Sequence, residues 1–180
     1  KLLKPHISPN CLYWSKPLVV LDFKKSTTEL IDNLKNICAA YGLGNDGNEF
    51  KIITQVFLYK FLCDKLAYEL KKADPATANA ANWEQHIASL DLDDYEMLTM
   101  LLPEGTAYLR PEHLISNLFA RQNEANFAKL FDDTLREIAI VNSDIFSVKT
   151  DGGAKVVLFD RITEYISDGS KRDAFAKAII

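Results

Sequence analysis

The sequence predicts a mainly α protein: a helical bundle around a long central helix, about 48–72, with one small β-hairpin at about 145–159. Three observations carry that prediction. Asn48 to Lys72 runs for about seven helical turns without a Gly or Pro. The chain as a whole holds only seven Gly and six Pro, which favours helices over many short strands. Asp151-Gly152-Gly153 lies between the β-branched runs Ile145–Thr150 and Ala154–Phe159, the signature of a tight hairpin turn.

The 48–72 stretch carries two apolar stripes side by side at helical spacing. Phe50, Ile53, Phe57, Phe61 and Leu62 form one, and Ile52, Val56, Tyr59, Leu66 and Leu70 the other. A helix apolar nearly all round is expected at the buried centre of a domain. Gln55, Lys60, Asp64 and Lys65 interrupt the run too often for a membrane span.

Upstream, residues 1–25 read as an irregular N-terminal arm, because Pro5, Pro9 and Pro17 prevent a continuous helix. Ser26-Thr27-Thr28-Glu29 has the form of a capping box and sets the expected start of the first helix, and of a single helical domain over 26–180. Leu30, Ile31, Leu34, Ile37, Cys38 and Tyr41 mark its buried face, and Gly42 its stop. Gly42-Leu43-Gly44-Asn45-Asp46-Gly47 matches the dinucleotide spacing G-x-G-x-x-G. A capped helix feeds it rather than a strand, so it reads as a helix–helix connector.

Further along, Asp74-Pro75 ends the long helix and 76–81 reads as a linker. Asn82 or its neighbour caps a short helix through Leu90. Asp91, Asp93 and Asp94 complement the start of the next, with Tyr95, Leu98, Leu101 and Leu102 facing inward. Arg110-Pro111 opens a helix burying Leu114, Ile115, Leu118 and Phe119. Asn126 caps a long amphipathic helix with Phe127, Leu130, Phe131, Leu135, Ile138 and Ala139 inside. Arg136 is placed to pair with Asp132 and Asp133. Residues 160–167 return to helix, and Ser170 caps a final one. The chain starts at Lys1 and stops at Ile180 within that helix, as a piece of a longer protein would.

The net charge of −4 argues against overall attraction to DNA or membranes, while leaving room for a local basic face. Cys11, Cys38 and Cys63 share no metal-ligand spacing and suit a reducing, cytoplasmic setting. No Walker, zincin, C-x-x-C or nucleophile-elbow motif is present. His6, His86 and His113 are scattered, so a Cys–His hydrolase is the weakest reading. Catalytic, cofactor-binding and metal-binding residues are all expected to be none. Nucleic-acid contact is the reading that survives. Lys149 and Lys155 flank the hairpin turn, and Arg110, Arg121 and Gln122 lie in loops or at helix ends, where basic and amide groups hold phosphates.

The run Phe57-Leu58-Tyr59-Lys60-Phe61-Leu62-Cys63-Asp64-Lys65-Leu66 resembles the FLKFLSDKL-type helix near the start of type I restriction–modification methyltransferase subunits. Leu102 to Ile138, LPEGTAYLRPEHLISNLFARQNEANFAKLFDDTLREI, and Ile162 to Asp168, ITEYISD, are similar to the helical region of the same subunit. The resemblance covers roughly residues 48–180. It implies a parent enzyme that methylates adenine N6 in DNA with S-adenosylmethionine, its catalytic domain following this helical region. That domain carries a Gly-containing cofactor loop and an Asn/Asp-Pro-Pro-aromatic motif for the flipped base. Neither is present here, so this chain alone is expected to hold no cofactor and to be catalytically silent. The implied partners are a DNA specificity subunit, a second modification subunit and double-stranded DNA, with no membrane. The alternative is a self-contained helical protein-interaction module without a DNA role.

Overall fold

The computed structural model describes the backbone at residues 17–146, 148–149, 155–156 and 159–180, and the side chains at 25–145 and 159–180. The protein is mainly helical. α1 spans Pro17–Ala40, α2 Gly47–Ala73, α3 Pro75–Asn79, α4 Trp83–Ser89 and α5 Leu92–Met100. A 3-10 turn at Pro111–His113 leads into α6, Ile115–Arg121. α7, Phe127–Val141, α8, Ser143–Phe146, and α9, Arg172–Ile179, complete the set, with 3-10 turns at Ile162–Tyr165 and Gly169–Lys171 between the last two. α7 packs most extensively on α9, and α1 lies against both α2 and α9. Tyr41 meets Phe175 edge-on across that last contact, with ring centroids 5.2 Å apart.

α1 begins at Pro17, so the capping box expected at Ser26 does not start a helix. Pro17 has the fixed φ favoured at the first helical position, and no Gly or Pro intervenes before Ser26. Residues 17–25 are thus helical rather than an irregular arm, and residues 1–16 lie outside the described residues. Ser26 and Glu29 sit on the helix exterior, where Glu29 pairs with Lys25 at 3.8 Å. At the other end the stop is as expected. Gly42 adopts φ +83°, its N–H donates to the Ala39 carbonyl at 3.1 Å and that of Leu43 to Cys38 at 2.8 Å. This is a Schellman closure, so the G-x-G-x-x-G spacing serves as a connector. Asp46 then caps α2 through the Asn48 N–H at 2.7 Å.

α2 is one continuous helix, but it is not buried all round. Its second stripe, Ile52, Val56, Tyr59, Leu66 and Leu70, is buried together with Leu62 and Cys63. On the first stripe Phe50 is 75% and Phe61 56% exposed. The helix covers the core with one face and keeps the other in solvent. Two further inward assignments are reversed: Leu101 and Phe119 are exposed, because α5 and α6 turn Tyr95 and Leu118 to the core instead.

Asp74 both ends α2 and caps α3, accepting from Ala76 N, Thr77 N and Thr77 Oγ1, so the expected linker at 76–81 begins as a helical turn. Asn82 and Asp91 cap α4 and α5 as their sequence positions require. Asn126 precedes α7 in a left-handed conformation at φ 60° and makes no side-chain cap. Asp173 of α9 caps it instead, accepting from Ala128 N at 2.8 Å. The expected helix at 160–167 is a 3-10 turn, and the chain enters α9 through a cap by Asp168 rather than Ser170.

Val148–Lys149 and Lys155–Val156 pair antiparallel, in register Val148↔Val156 and Lys149↔Lys155. The expected hairpin over 145–159 is not shown at that length: Ile145 belongs to α8, Phe159 is buried in the core, and the turn at 151–153 lies outside the described residues.

Ser26→Ala is expected to leave stability unchanged or raise it by up to about 0.5 kcal/mol, since Ala is the better mid-helix residue. Gly42→Ala is expected to cost about 1 kcal/mol for its left-handed backbone. Urea denaturation of the two variants checks both signs; a cost at Ser26 equal to that of a lost cap would restore the later helix start.

Candidate functional site

The stretch 106–114 crosses the interior without a strand partner among the described residues. Ala107, Leu109, His113 and Leu114 are buried, and a buried backbone must find hydrogen bonds. Helix side chains supply them. Tyr59 Oη donates to the His113 carbonyl at 2.6 Å, and Tyr95 Oη donates to the Leu109 carbonyl. Asn142 works in both directions, accepting from Tyr108 N at 2.7 Å and donating to the Tyr108 carbonyl at 2.8 Å. Burial raises the pKa of both tyrosine hydroxyls well above the ordinary phenol range, so each keeps its proton and serves as a donor.

Arg110 N donates to His113 Nδ1 at 3.2 Å. That bond leaves the proton on Nε2, which faces Glu137 Oε2 of α7 at 3.3 Å. Burial lowers the His113 pKa, offset in part by its bond to Glu137. Burial would raise the Glu137 pKa, but His113 and Arg110 outweigh it and hold the carboxylate below its usual range. Arg110 also bonds Glu137 directly and pairs with Glu112 at 3.2 Å. The result is a small charged knot of Arg110, Glu112, His113 and Glu137, with its histidine neutral near pH 7 and its arginine committed to two carboxylates.

A second polar centre joins α7 to the 162–165 turn and α9. Asp132, only 3% exposed, accepts from Thr163 N at 3.2 Å and Thr163 Oγ1 at 2.5 Å. It faces inward, so the expected pairing of Asp132 with Arg136 along the helix does not form. Asp133 pairs instead with Lys129 and with Arg161, the latter at 3.3 Å. Burial pushes the Asp132 pKa up to about 6, against the two Thr163 bonds, with Glu164 raising and Arg161 lowering it further. A polar cleft of about 410 Å³ opens beside this centre, lined by Lys129, Asp132, Arg161, Glu164 and Arg172 among others. Its cations and carboxylates are interleaved, so it presents no single sign of charge to a ligand.

The five residues picked from sequence for DNA contact are dispersed. Arg110 sits in the charged knot. Arg121 ends α6 and makes a two-bond fork with Glu124, both at 2.9 Å. Gln122, the C-cap of α6, is half-buried. Lys149 and Lys155 alone are brought together, as backbone partners in the two-residue ladder.

Burial pushes the thiol of Cys38 up to about 11 and that of Cys63 up to about 12, the reverse of an activated nucleophile. Cys11 and His6 lie outside the described residues. Among the described residues no group of three or more potential ligands could hold a metal ion, and no helix is long and apolar enough to cross a membrane. The sequence singles out neither Asn142 nor the hydrogen-bonding roles of Tyr59 and Asp132, which it marks only as a core residue and as a partner for Arg136. The available signal was a polar residue on an otherwise apolar stripe, as Tyr59 and Gln55 are on α2. No family model, curated protein or solved structure matches the chain.

Tyr59→Phe strands a buried carbonyl and is expected to cost about 1–3 kcal/mol, read as a lower denaturation midpoint with an unchanged slope. For Asp132 the pH dependence has a definite sign. Its folded pKa lies above the ordinary 3.8, so the folded state keeps a proton that the unfolded state releases. Its contribution is therefore most favourable below about pH 4 and declines as pH rises towards about 6, by on the order of 3 kcal/mol in all. Asp132→Asn, whose amide can accept from Thr163 N and donate to Thr163 Oγ1, is expected to lack that decline. Stability curves of the two proteins between pH 4 and 7 check it, and parallel curves would refute it.

Proposed function

We propose that this chain is the N-terminal helical domain of the modification subunit of a type I restriction–modification system, acting in assembly and DNA clamping. The parent would be a cytoplasmic, site-specific adenine-N6 DNA methyltransferase using S-adenosylmethionine. Its partners would be a specificity subunit, a second modification subunit and double-stranded DNA.

One observation supports this reading beyond the sequence resemblance. The three stretches that carry the resemblance are tied directly to one another. Tyr59 of the first bonds the His113 carbonyl of the second and packs edge-on against Phe131, with ring centroids 6.4 Å apart. Asp132 of the second bonds Thr163 of the third. Residues distant in sequence that share one hydrogen-bonded core are a more demanding pattern than three separate apolar periodicities.

For DNA contact the Lys149–Lys155 pair, in the short antiparallel ladder of Val148–Lys149 with Lys155–Val156, is the first choice. Arg110 and Arg121 already have carboxylate partners and would have to exchange them for phosphates; Gln122 would act as a neutral hydrogen-bonding group. Fluorescence anisotropy with duplex DNA, in the presence of the specificity subunit, tests the assignment. Lys149→Glu/Lys155→Glu is expected to weaken binding and to reduce the salt slope by about two. The longer subunit should transfer methyl groups from S-adenosylmethionine to adenine in DNA. Failure of DNA binding with the partner present would return the chain to a protein-interaction module.

A further inference from the structure

The outer face of α5 differs from the rest of the surface in a way that its own helix does not need. Tyr95 is buried and Leu98 half-buried, both packed to the core, so the helix is already anchored. On the opposite side Met97 is 59%, Met100 79% and Leu101 69% exposed. These are neighbours at helical spacings of three and four, so they form one apolar ridge. Carboxylates surround it. Residues 91–104 contain Asp91, Asp93, Asp94, Glu96 and Glu104 and neither Lys nor Arg. Asp91 is used as the helix cap, whereas Asp93, Glu96 and Glu104 are exposed. Lys65 of α2, which reaches the loop after α5, is directed to the Gly105 carbonyl at 2.9 Å.

We propose that this face is a docking surface for a basic amphipathic protein helix, whose apolar side chains seat on Met97, Met100 and Leu101 and whose lysines or arginines meet the surrounding carboxylates. Methionine side chains are flexible and polarizable, so they adapt to the shape of an apolar partner. An amphipathic helix laid on an apolar surface is an established mode of peptide recognition. Charge selects among occupants. A second copy of this chain meeting face to face would oppose carboxylate to carboxylate, and nucleic-acid phosphates or anionic lipid would be repelled. The proposal does not depend on the DNA reading above, whose contacts lie elsewhere in the sequence.

The test uses the full chain and a fluorescein-labelled helix of repeated Leu-Lys-Lys-Leu-Leu-Lys-Leu. Two control peptides accompany it, one with Glu for every Lys and one of the same composition broken by Pro. The lysine helix is expected to bind in a salt-sensitive manner, and both controls to bind at least about tenfold more weakly. Met97→Gln/Met100→Gln and Glu96→Lys/Glu104→Lys, all at exposed positions, should each raise the Kd at least about tenfold. Met97→Leu/Met100→Leu should retain binding. Circular dichroism establishes that each variant is folded. Equal binding of the lysine helix by wild type and both weakening variants, or equal binding of the lysine and glutamate helices, would overturn the proposal. So would sedimentation showing that the chain self-associates and that Met97→Gln/Met100→Gln abolishes it, which would assign the ridge to a second copy.

Discussion

The unpartnered backbone of residues 106–114 is the constraint that the rest of the structure answers. Its extended part, up to Arg110, cannot satisfy itself as a helix does, and among the described residues it has no neighbouring strand to satisfy it; only the 3-10 turn at Pro111–His113 closes bonds of its own. Water is excluded at Ala107, Leu109, His113 and Leu114. Tyr59 of α2, Tyr95 of α5 and Asn142 beyond α7 therefore each place a polar atom on that backbone. Each buried hydrogen bond adds only about 1 kcal/mol net, but leaving its partner unmade costs up to about 3 kcal/mol. The positions of α2, α5 and α7 around the segment follow from that asymmetry.

The same device recurs where the chain returns from the hairpin. Gln55 of α2 accepts from Asp160 N at 2.8 Å, and Asp132 of α7 accepts from Thr163. Irregular chain is thus held on the helices by buried polar groups rather than by regular pairing. The arrangement also separates two kinds of surface. Arg110, Arg121 and Arg161 are paired with carboxylates, while α5 gathers acidic residues without a basic counterpart.

Local chemistry made much of this readable in the sequence. Gly42, Asp46, Asp74, Asn82 and Asp91 each mark a helix boundary through their own backbone or side chain, and those boundaries lie where the residues indicate. Ser26 misled because a capping sequence is effective only where the preceding chain is not already helical, and Pro17 had started the helix earlier. Leu101 and Phe119 misled because hydrophobicity does not distinguish a core face from an exposed ridge. Asp133 and Arg161 lie far apart in sequence, as do Tyr59 and His113, and no periodicity within one helix can announce such pairings. The charged knot was therefore legible only in part: Arg110 stood out, while His113 and Glu137 gained meaning once the fold had brought α7 beside them.

Residues 106–114 have few regular hydrogen bonds among themselves, and such stretches ordinarily tolerate added or deleted residues. Here the anchors at 108, 109 and 113 are read by Tyr59 and Tyr95 on two helices and by Asn142 at the C-terminal cap of a third, at spacings fixed by the chain itself. One inserted residue would move every later carbonyl out of reach of its donor. The segment serves as a ruler: its length, rather than the residues at its exposed positions, sets the match between its carbonyls and their donors.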